Sequence, residues 1–515
     1  MSGTVIYQML PRLWGCGCKA PVPNGTYEEN GSGKLSAVDA PFLEYLKTLG
    51  VSHVWLTGII RHASAYSCPG CPPARVHKGL AGSPYAIVDY YDINPYLADC
   101  TESRMDEFKS LLNRVHSAGL KVIIDFVPNH VGREYGRLGL AHPEFPVLGA
   151  DDDPGVHWKP ENDFYYYPFA PLVLPFIQGF KEFPAKASGN SFSPFPSVTD
   201  WWETVRLNYC DFHTPLWDKM LHIVSYWAGM GVDGFRCDMV EMVPAEFFAW
   251  MIPQVKKDFP ELEFIAEVYD KSLYSKYINE VGFDILYDKS GLYDTLKSVV
   301  RDGASARGIT SSWQSLGPLQ GRMLNFLENH DEVRLPSEFY AGDARKGFAP
   351  LGVSALWNTA PFMVYFGEEI GEKGMDCEGF SGRDGRTTIF DWWSPPSLRR
   401  LYDYIHTGKG LKDSELSVLE KFRFTLSLAS SPLVAEGSSY DLCWCNVDSS
   451  GFNPDRHFAF LRSFRDETVL IAANFSSDTA VMTLNIPSQA TGNGEVSVEI
   501  EVPAWDFACR RMDFH

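Results

Sequence analysis

Four hydrophobic runs in this chain end abruptly in residues able to move protons or bear charge: Asp125-Phe-Val-Pro-Asn129-His130, Gly231-Val-Asp-Gly-Phe-Arg236-Cys-Asp238, Phe264-Ile-Ala-Glu267 and Phe326-Leu-Glu-Asn329-His330-Asp331. Glycosidic bonds are broken by two carboxyl groups. One, protonated, assists the leaving oxygen, and the other attacks the anomeric carbon or activates water. Asp238 and Glu267 suit those parts. Arg236, two residues before Asp238, points to the same side of a strand. Its guanidinium favours an ionised Asp238, as a nucleophile requires. Glu267 follows Phe-Ile-Ala, and apolar surroundings keep a proton on a carboxyl group. Asp331, beside His330, is placed to bond substrate hydroxyls and to stabilise positive charge at a ring carbon. Taken singly, each acid reads as a helix cap or a surface ion pair. His130 alone reads as a satisfied loop histidine, and Cys237 as a packing residue. Four such segments in series shift the balance toward one shared site, with Asp125 as a support residue behind it.

Val/Ile/Leu/Phe-rich runs that turn polar at their C-terminal ends are how strands of a parallel barrel deliver side chains to one face. Eight strands are predicted: Val5 to Leu10, His53 to Gly58, Lys121 to Val127, Gly234 to Asp238, Glu263 to Val268, Phe283 to Tyr287, Met323 to Leu327 and Pro361 to Phe366. Amphipathic helices are expected between them at Ala40 to Leu49, Ser103 to Ala118, Thr214 to Gly229 and Pro244 to Phe259, three of them closed by Gly50, Gly119 and Pro260. This βα alternation predicts an α/β fold, a (β/α)8 TIM barrel. The rival doubly wound sheet loses ground because no Gly-rich phosphate loop follows the first strand.

The spacing breaks once, where about 80 residues separate His130 from the helix starting near Thr214, far beyond an ordinary connection. That stretch, with Phe164-Tyr-Tyr-Tyr167 and Asp200-Trp-Trp202, is expected to be an irregular inserted domain over residues 131–208. The barrel then occupies 1–130 and 209–430. After about residue 430 the pattern alternates, as in His457-Phe-Ala-Phe-Leu-Arg and Val469-Leu-Ile-Ala-Ala-Asn-Phe, which predicts a C-terminal antiparallel β-sandwich over 431–515.

The net charge of -20 opposes a partner bound through phosphates, so no nucleic-acid role is expected. No run approaches the ~20 apolar residues of a membrane span. Met1 to Leu10 lacks the charge and continuous apolar stretch of an export signal, which points to a cytoplasmic protein as written, or a periplasmic or secreted one if a signal was removed. Eleven cysteines in 515 residues are too sparse for a disulfide scaffold and read as free thiols. Cys16-Gly-Cys18 with Cys68-Pro-Gly-Cys71 offers four thiols to zinc or to disulfides, although C-x-C is unusual zinc spacing and both segments look like loops.

In this order, the four segments resemble the signature regions of the α-amylase family of α-glucan glycosidases. Gly82-Ser-Pro-Tyr85-Ala-Ile-Val-Asp89-Tyr and Tyr365-Phe-Gly-Glu-Glu-Ile-Gly371 resemble further family segments. The resemblance implies a catalytic barrel with an inserted B domain and a C-terminal β-sandwich. It also implies a retaining double displacement, with Asp238 as nucleophile, Glu267 as general acid/base and Asp331 as transition-state stabiliser. Tyr85, His130, Arg236 and His330 match positions that hold the sugar at the cleavage point. No cofactor is implied for the chemistry. A structural calcium is implied in many relatives, with Asn129 and, roughly aligned, Asn208 as ligands here, though an amide is a weaker ligand than a carboxylate. Where many members carry Lys-His after the nucleophile segment this chain has Glu241 and Met242, and a carboxylate cannot donate to a sugar hydroxyl.

The function these residues imply is hydrolysis of α-1,4 bonds in starch-like glucans or maltooligosaccharides. Two alternatives use the same covalent intermediate: a transglycosylase of the glucanotransferase or trehalose synthase type, and an α-glucosidase, the latter faintly echoed in Gly382-Arg-Asp-Gly-Arg386. A third alternative, an inactive glucan-binding or transport-partner relative, would be expected to have lost the acids that this chain retains.

Overall fold

The computed structural model describes residues 3–375, 379–492 and 494–513. Eight parallel strands close into a barrel: β1 (Val5–Met9), β2 (His53–Leu56), β3 (Lys121–Phe126), β4 (Gly234–Cys237), β5 (Glu263–Ala266), β6 (Ile285–Tyr287), β7 (Met323–Phe326) and β8 (Phe362–Tyr365). Neighbours in sequence are neighbours in space, and β1 pairs with β8 to close the ring. The open doubly wound sheet is thereby excluded. All eight strands are almost wholly buried, as strands packed on both faces must be.

The outer helices are started and stopped by local chemistry. Helix α1 (Ala40–Thr48) opens with Pro41 in its first turn, and Asp39 accepts the Phe42 N–H at 3.1 Å as its cap. Its Phe42, Leu43, Tyr45 and Leu46 lie on the buried face. Helices α2 (Arg104–Ser117), α3 (Pro215–Met230) and α4 (Ala245–Asp258) flank strands β2 to β5. Helix α3 stops at Gly231, whose φ of 105° is a conformation that residues with a side chain avoid.

Between β2 and α2 the chain makes a long excursion built on an antiparallel pair, Ile60–His62 with Ile87–Ile93. The spacing argument placed only one irregular connection, and this second one escaped it because Ile87–Ile93 is buried throughout and carries no alternation. The segment after β3 leaves and returns through a short antiparallel ladder that pairs His130 with Arg206, Val131 with Val205 and Gly132 with Thr204. Inside this insert Arg133 is fully buried, ion-paired with Glu182 at 2.8 Å, and it donates to the carbonyls of Trp202 and Thr204. A small core of Leu172, Leu174, Ala185 and Trp202 closes on Val76 from the excursion.

At the C-terminal end, β9 (Ser438–Asp441), β10 (His457–Phe464), β11 (Glu467–Asn474) and β14 (Phe507–Met512) form one antiparallel sheet, and β12 (Ala480–Ile486) with β13 (Val496–Val502) forms a second. Alternation sorts their faces. Phe458, Phe460, Ile471 and Phe507 join the core of the barrel, while Ala459, Leu461 and Leu470 pack with Met482, Leu484 and Val498 of the second sheet. Among the described residues no helix is long and apolar enough to cross a membrane.

Candidate active site

Every polar segment named from the sequence ends at the same rim of the barrel. Arg236, on β4, is the hub. Its side chain is fully buried, with Nη1 2.5 Å from Asp238 Oδ1, Nη2 2.8 Å from Glu267 Oε1 and Nη1 3.7 Å from Asp125 Oδ1. Its Nε donates to the Tyr287 hydroxyl at 3.1 Å, and the rings of Trp55, Tyr85 and Tyr287 lie about it at 5.5–5.6 Å. Register explains the grouping, because Arg236 pairs with Asp125 on one side and Ile265 on the other, which puts Asp238 and Glu267 one step beyond the strand ends.

Three carboxylates around one guanidinium cannot all shed their protons freely. Burial pushes Asp238 up to about 7. Arg236 opposes that shift, and the charges of Glu267 and Asp331 add to it. Asp331 goes the other way. Its partial burial is outweighed by His330, whose Nε2 lies 3.1 Å from Oδ2, and its carboxyl is held at about 2. Burial pulls the His330 pKa down, but the Asp331 charge prevails and raises it. The other ring nitrogen faces the Gln8 amide at 2.8 Å, and the Tyr85 hydroxyl meets His330 Nε2. The Tyr85 ring stacks on His330 at 5.3 Å.

Glu267 takes two hydrogen bonds and the Arg236 ion pair, where its Phe-Ile-Ala context predicts apolar surroundings. The Met239 N–H reaches Oε2 at 2.8 Å, and Oε1 takes the Tyr269 hydroxyl at 2.7 Å besides the Arg236 contact. Met239 adopts φ 48°, a left-handed conformation unusual for a residue with a side chain. That turn, immediately after Asp238, aims its N–H at the acid. Glu241 accepts the N–H groups of Tyr269 at 3.0 Å and Asp270 at 2.9 Å. The carboxylate found where many relatives carry lysine therefore clamps the loop that presents Tyr269 to Glu267.

His130 packs against Trp201 at 5.2 Å, and burial, with the charges of Arg206 and Lys78, lowers its pKa to about 3, so it is a neutral imidazole at physiological pH. Tyr85, His130, Asp238, Glu267 and Asp331 line one cavity of about 230 Å³ together with Lys78, Trp201, Glu203, Tyr269 and Phe390. The last five escaped the sequence reading. Tyr269 carried a signal, being two residues beyond Glu267 as Asp238 is beyond Arg236. Lys78 and Glu203 lie in irregular segments that give no period to read.

At the two asparagines implied as calcium ligands the amide nitrogens bond carbonyls, and Asn208 Oδ1 is buried without a hydrogen bond. Asn129 Nδ2 donates to Gly189 O at 3.1 Å, and Asn208 Nδ2 donates to the carbonyls of Lys159 at 2.8 Å and Asn162 at 2.9 Å. Each amide turns its donor end to carbonyls that a cation would otherwise bind. The carboxylate next along, Asp163, is neutralised by Lys219 at 2.6 Å. No cluster of three or more His, Cys, Asp or Glu suited to a metal occurs among the described residues. The ten described cysteines are free thiols. Cys16 and Cys18 donate to the Asn30 and Glu29 carbonyls, while Cys68 and Cys71 pair through their backbones in a tight turn, so the four form neither a zinc site nor disulfides.

A parallel eight-stranded barrel whose strand ends gather acids around a buried arginine defines a barrel enzyme of the glycosidase type. Residues 26–394 match the description "Alpha amylase, catalytic domain". That is more than two thirds of the chain, which therefore belongs to the α-amylase family of glycosidases. It is 24% identical over 480 residues to alpha-amylase MalA of Haloarcula japonica, covering 90% of this chain but only 56% of that protein. It is 22% identical over 506 residues to a cyclomaltodextrinase of Geobacillus thermopakistaniensis, covering 95% and 71%. Among solved structures, cyclic alpha-maltosyl-(1→6)-maltose hydrolase from Arthrobacter globiformis has the same fold, with a TM-score of 0.67 at 17% identity over 99% of this chain and 98% of that one.

Proposed function

We propose that this protein is a retaining hydrolase of α-1,4-glucosidic bonds in maltooligosaccharides and the ends of starch-like glucans. In this reading the barrel spans 1–130 and 209–430, with a B domain over 131–208 and a β-sandwich over 431–515. The observation that carries the mechanism is the single guanidinium of Arg236 in contact with both Asp238 and Glu267. Carboxyl groups that share one guanidinium are near neighbours, which is compatible with the ~5–5.5 Å of a retaining pair.

Asp238 in its ionised form, which Arg236 favours against the effect of burial, attacks the anomeric carbon while protonated Glu267 gives its proton to the leaving oxygen, and a glycosyl ester on Asp238 results. Glu267 then takes a proton from water, which attacks the same carbon and releases Asp238. Asp331, held ionised by His330, faces the charge that develops on the ring in both steps. Tyr85 offers its ring as a platform, and His130 and His330 hold sugar hydroxyls. Asp125 acts from behind, accepting from Trp55 Nε1 at 3.1 Å and facing Arg236. A cavity of about 230 Å³ is smaller than the ~300–1,000 Å³ usual for small-molecule sites, which suits the end of a glycan better than a long continuous stretch. The names of the relatives, an alpha-amylase and a cyclomaltodextrinase, agree with an α-glucan substrate.

Incubation with soluble starch, maltotriose and maltose in parallel tests the reading. Net release of reducing ends, with the new ends formed first in the α configuration, supports it. β-Configured first products, or redistribution of chain length without gain in reducing ends, would refute it.

A further inference from the structure

One feature of the cavity wall has no part in the mechanism above. Lys78 Nζ lies 3.1 Å from Glu203 Oε2, with side chains 12% and 4% exposed, and both residues line the cavity that holds the three acids. Lys78 is the charged partner of the buried Glu203 carboxylate. A buried carboxylate without such a partner would be costly. Burial pushes the Glu203 carboxyl up, with Lys78 opposing.

The backbone on either side is fixed with unusual thoroughness. Arg133 donates its Nε to Trp202 O at 2.8 Å, its backbone N–H to Glu203 O at 2.8 Å and its Nη2 to Thr204 O at 2.9 Å, so Glu203 projects from a segment held at three consecutive carbonyls. On the Lys78 side, Glu134 accepts the N–H groups of Arg75 and Val76, and Ala81 donates to Phe390 O at 2.9 Å. Gly79, at φ 59°, passes so close to Phe390 that an added Cβ would lie 2.2 Å from its carbonyl oxygen. Two separate segments, one from the barrel excursion and one from the insert, are thus locked so as to bring an ammonium and a carboxylate together on the wall of the site.

We propose that Lys78 and Glu203 form a recognition pair that reads two adjacent hydroxyls of a glucosyl ring in the cavity, and so helps to set substrate specificity. One hydroxyl donates to the Glu203 carboxylate and its neighbour accepts from Lys78 Nζ. Sugar diols suit such a pair because each hydroxyl both donates and accepts, and charge-assisted bonds are the strong ones. The inference rests on the glycosidase reading of the site. It adds two substrate contacts that the four strand-end segments do not supply.

The test uses the full chain and three variants: Lys78→Met, Glu203→Gln, and the double Lys78→Met/Glu203→Leu. The readouts are kcat/KM on maltotriose, thermal midpoint, and calorimetric affinity for maltotriose in an Asp238→Asn background. A hydrogen bond to a charged group contributes about 1.5–3 kcal/mol, or about 10- to 150-fold. Each single variant is expected to lose about that factor in kcat/KM and in affinity. The double variant is decisive, because an ion pair replaced by apolar residues usually restores stability. If the pair reads sugar, the double variant stays folded and as weak as the singles. A double variant that returns to within about threefold of the parent in kcat/KM, or single variants that never depart from it, would make the pair a structural clip and overturn the proposal. If a single variant fails to fold, the double variant decides the question, and Glu203→Gln, which keeps volume and shape, decides it if the double fails. If the unsubstituted chain neither cleaves nor binds maltotriose, the glycosidase reading itself fails and this inference falls with it.

Discussion

Replacing Asp238 by Asn should abolish turnover and stabilise the fold, and the two effects should depend differently on pH. The carboxyl group is buried, and its pKa is raised from 3.8 to about 7 despite contact with Arg236. At 1.36 kcal/mol per unit this is about 4 kcal/mol spent on keeping Asp238 ionised in the fold rather than in the unfolded chain. The sign follows from proton counts. Between pH 4 and 7 the unfolded chain has released this proton and the folded chain still holds it, so the contribution of Asp238 to stability falls as pH rises through that window and levels off above it. Asn carries no charge and escapes the penalty. Urea unfolding of parent and variant at pH 4, 5.5 and 8 should therefore show little difference at pH 4, a partial gain at pH 5.5 and a gain of up to about 4 kcal/mol at pH 8. Over the same range kcat should fall by several powers of ten. A variant less stable than the parent at pH 8, or a difference that does not change with pH, would refute the electrostatic reasoning.

Other consequences follow from the same geometry. Glu241→Ala frees the N–H groups of Tyr269 and Asp270, so kcat on maltotriose should drop about 10- to 100-fold with KM little changed, and Tyr269→Phe should reproduce the drop while Glu241→Gln keeps more activity. Because Asp331 is held at about 2 by His330, the stability it contributes is full above pH 4 and lost as pH falls from 4 to 2. His330→Asn should shrink that acid-side loss, because it removes the charge that holds the folded carboxyl below its unfolded value, measured as thermal midpoint against pH. Treatment with a chelator should leave both activity and thermal midpoint unchanged, since Asn129 and Asn208 bond carbonyls through their amide nitrogens; a fall in midpoint reversed by calcium would refute this.

The barrel was legible because its strands are uniform apolar runs that turn polar at one end, and each such turn marks where a side chain reaches the site. Arg236 and Asp238, Glu267, and His330 with Asp331 could be read in that way, and the structure brings all of them together around one guanidinium. The C-terminal sheets were legible from alternation, which sorts Phe458 and Phe460 toward the barrel and Ala459 and Leu461 away from it. What stayed hidden depends on contacts distant in sequence. Lys78 meets Glu203 from 125 positions away, and only the folded insert makes them neighbours. Ile87–Ile93 hid a strand because it is buried on both faces. Glu241 was read by comparison with lysine at that place, and its actual task, holding the loop of Tyr269, depends on a backbone turn that side-chain types do not encode. For Asn129 and Asn208 residue type does not say whether the donor or the acceptor end of the amide faces inward.

The central claim is that Asp238 becomes covalently bonded to the sugar, and trapping the ester tests it most directly. The protein would be incubated with a fluorinated glucosyl fluoride that forms the ester quickly and hydrolyses it slowly, then digested and examined by mass spectrometry. A fluoroglucosyl adduct on the peptide containing Asp238, lost in Asp238→Asn, is expected. An adduct on Glu267 or Asp331 instead, or hydrolysis of natural substrate with inversion and no adduct, would contradict the account.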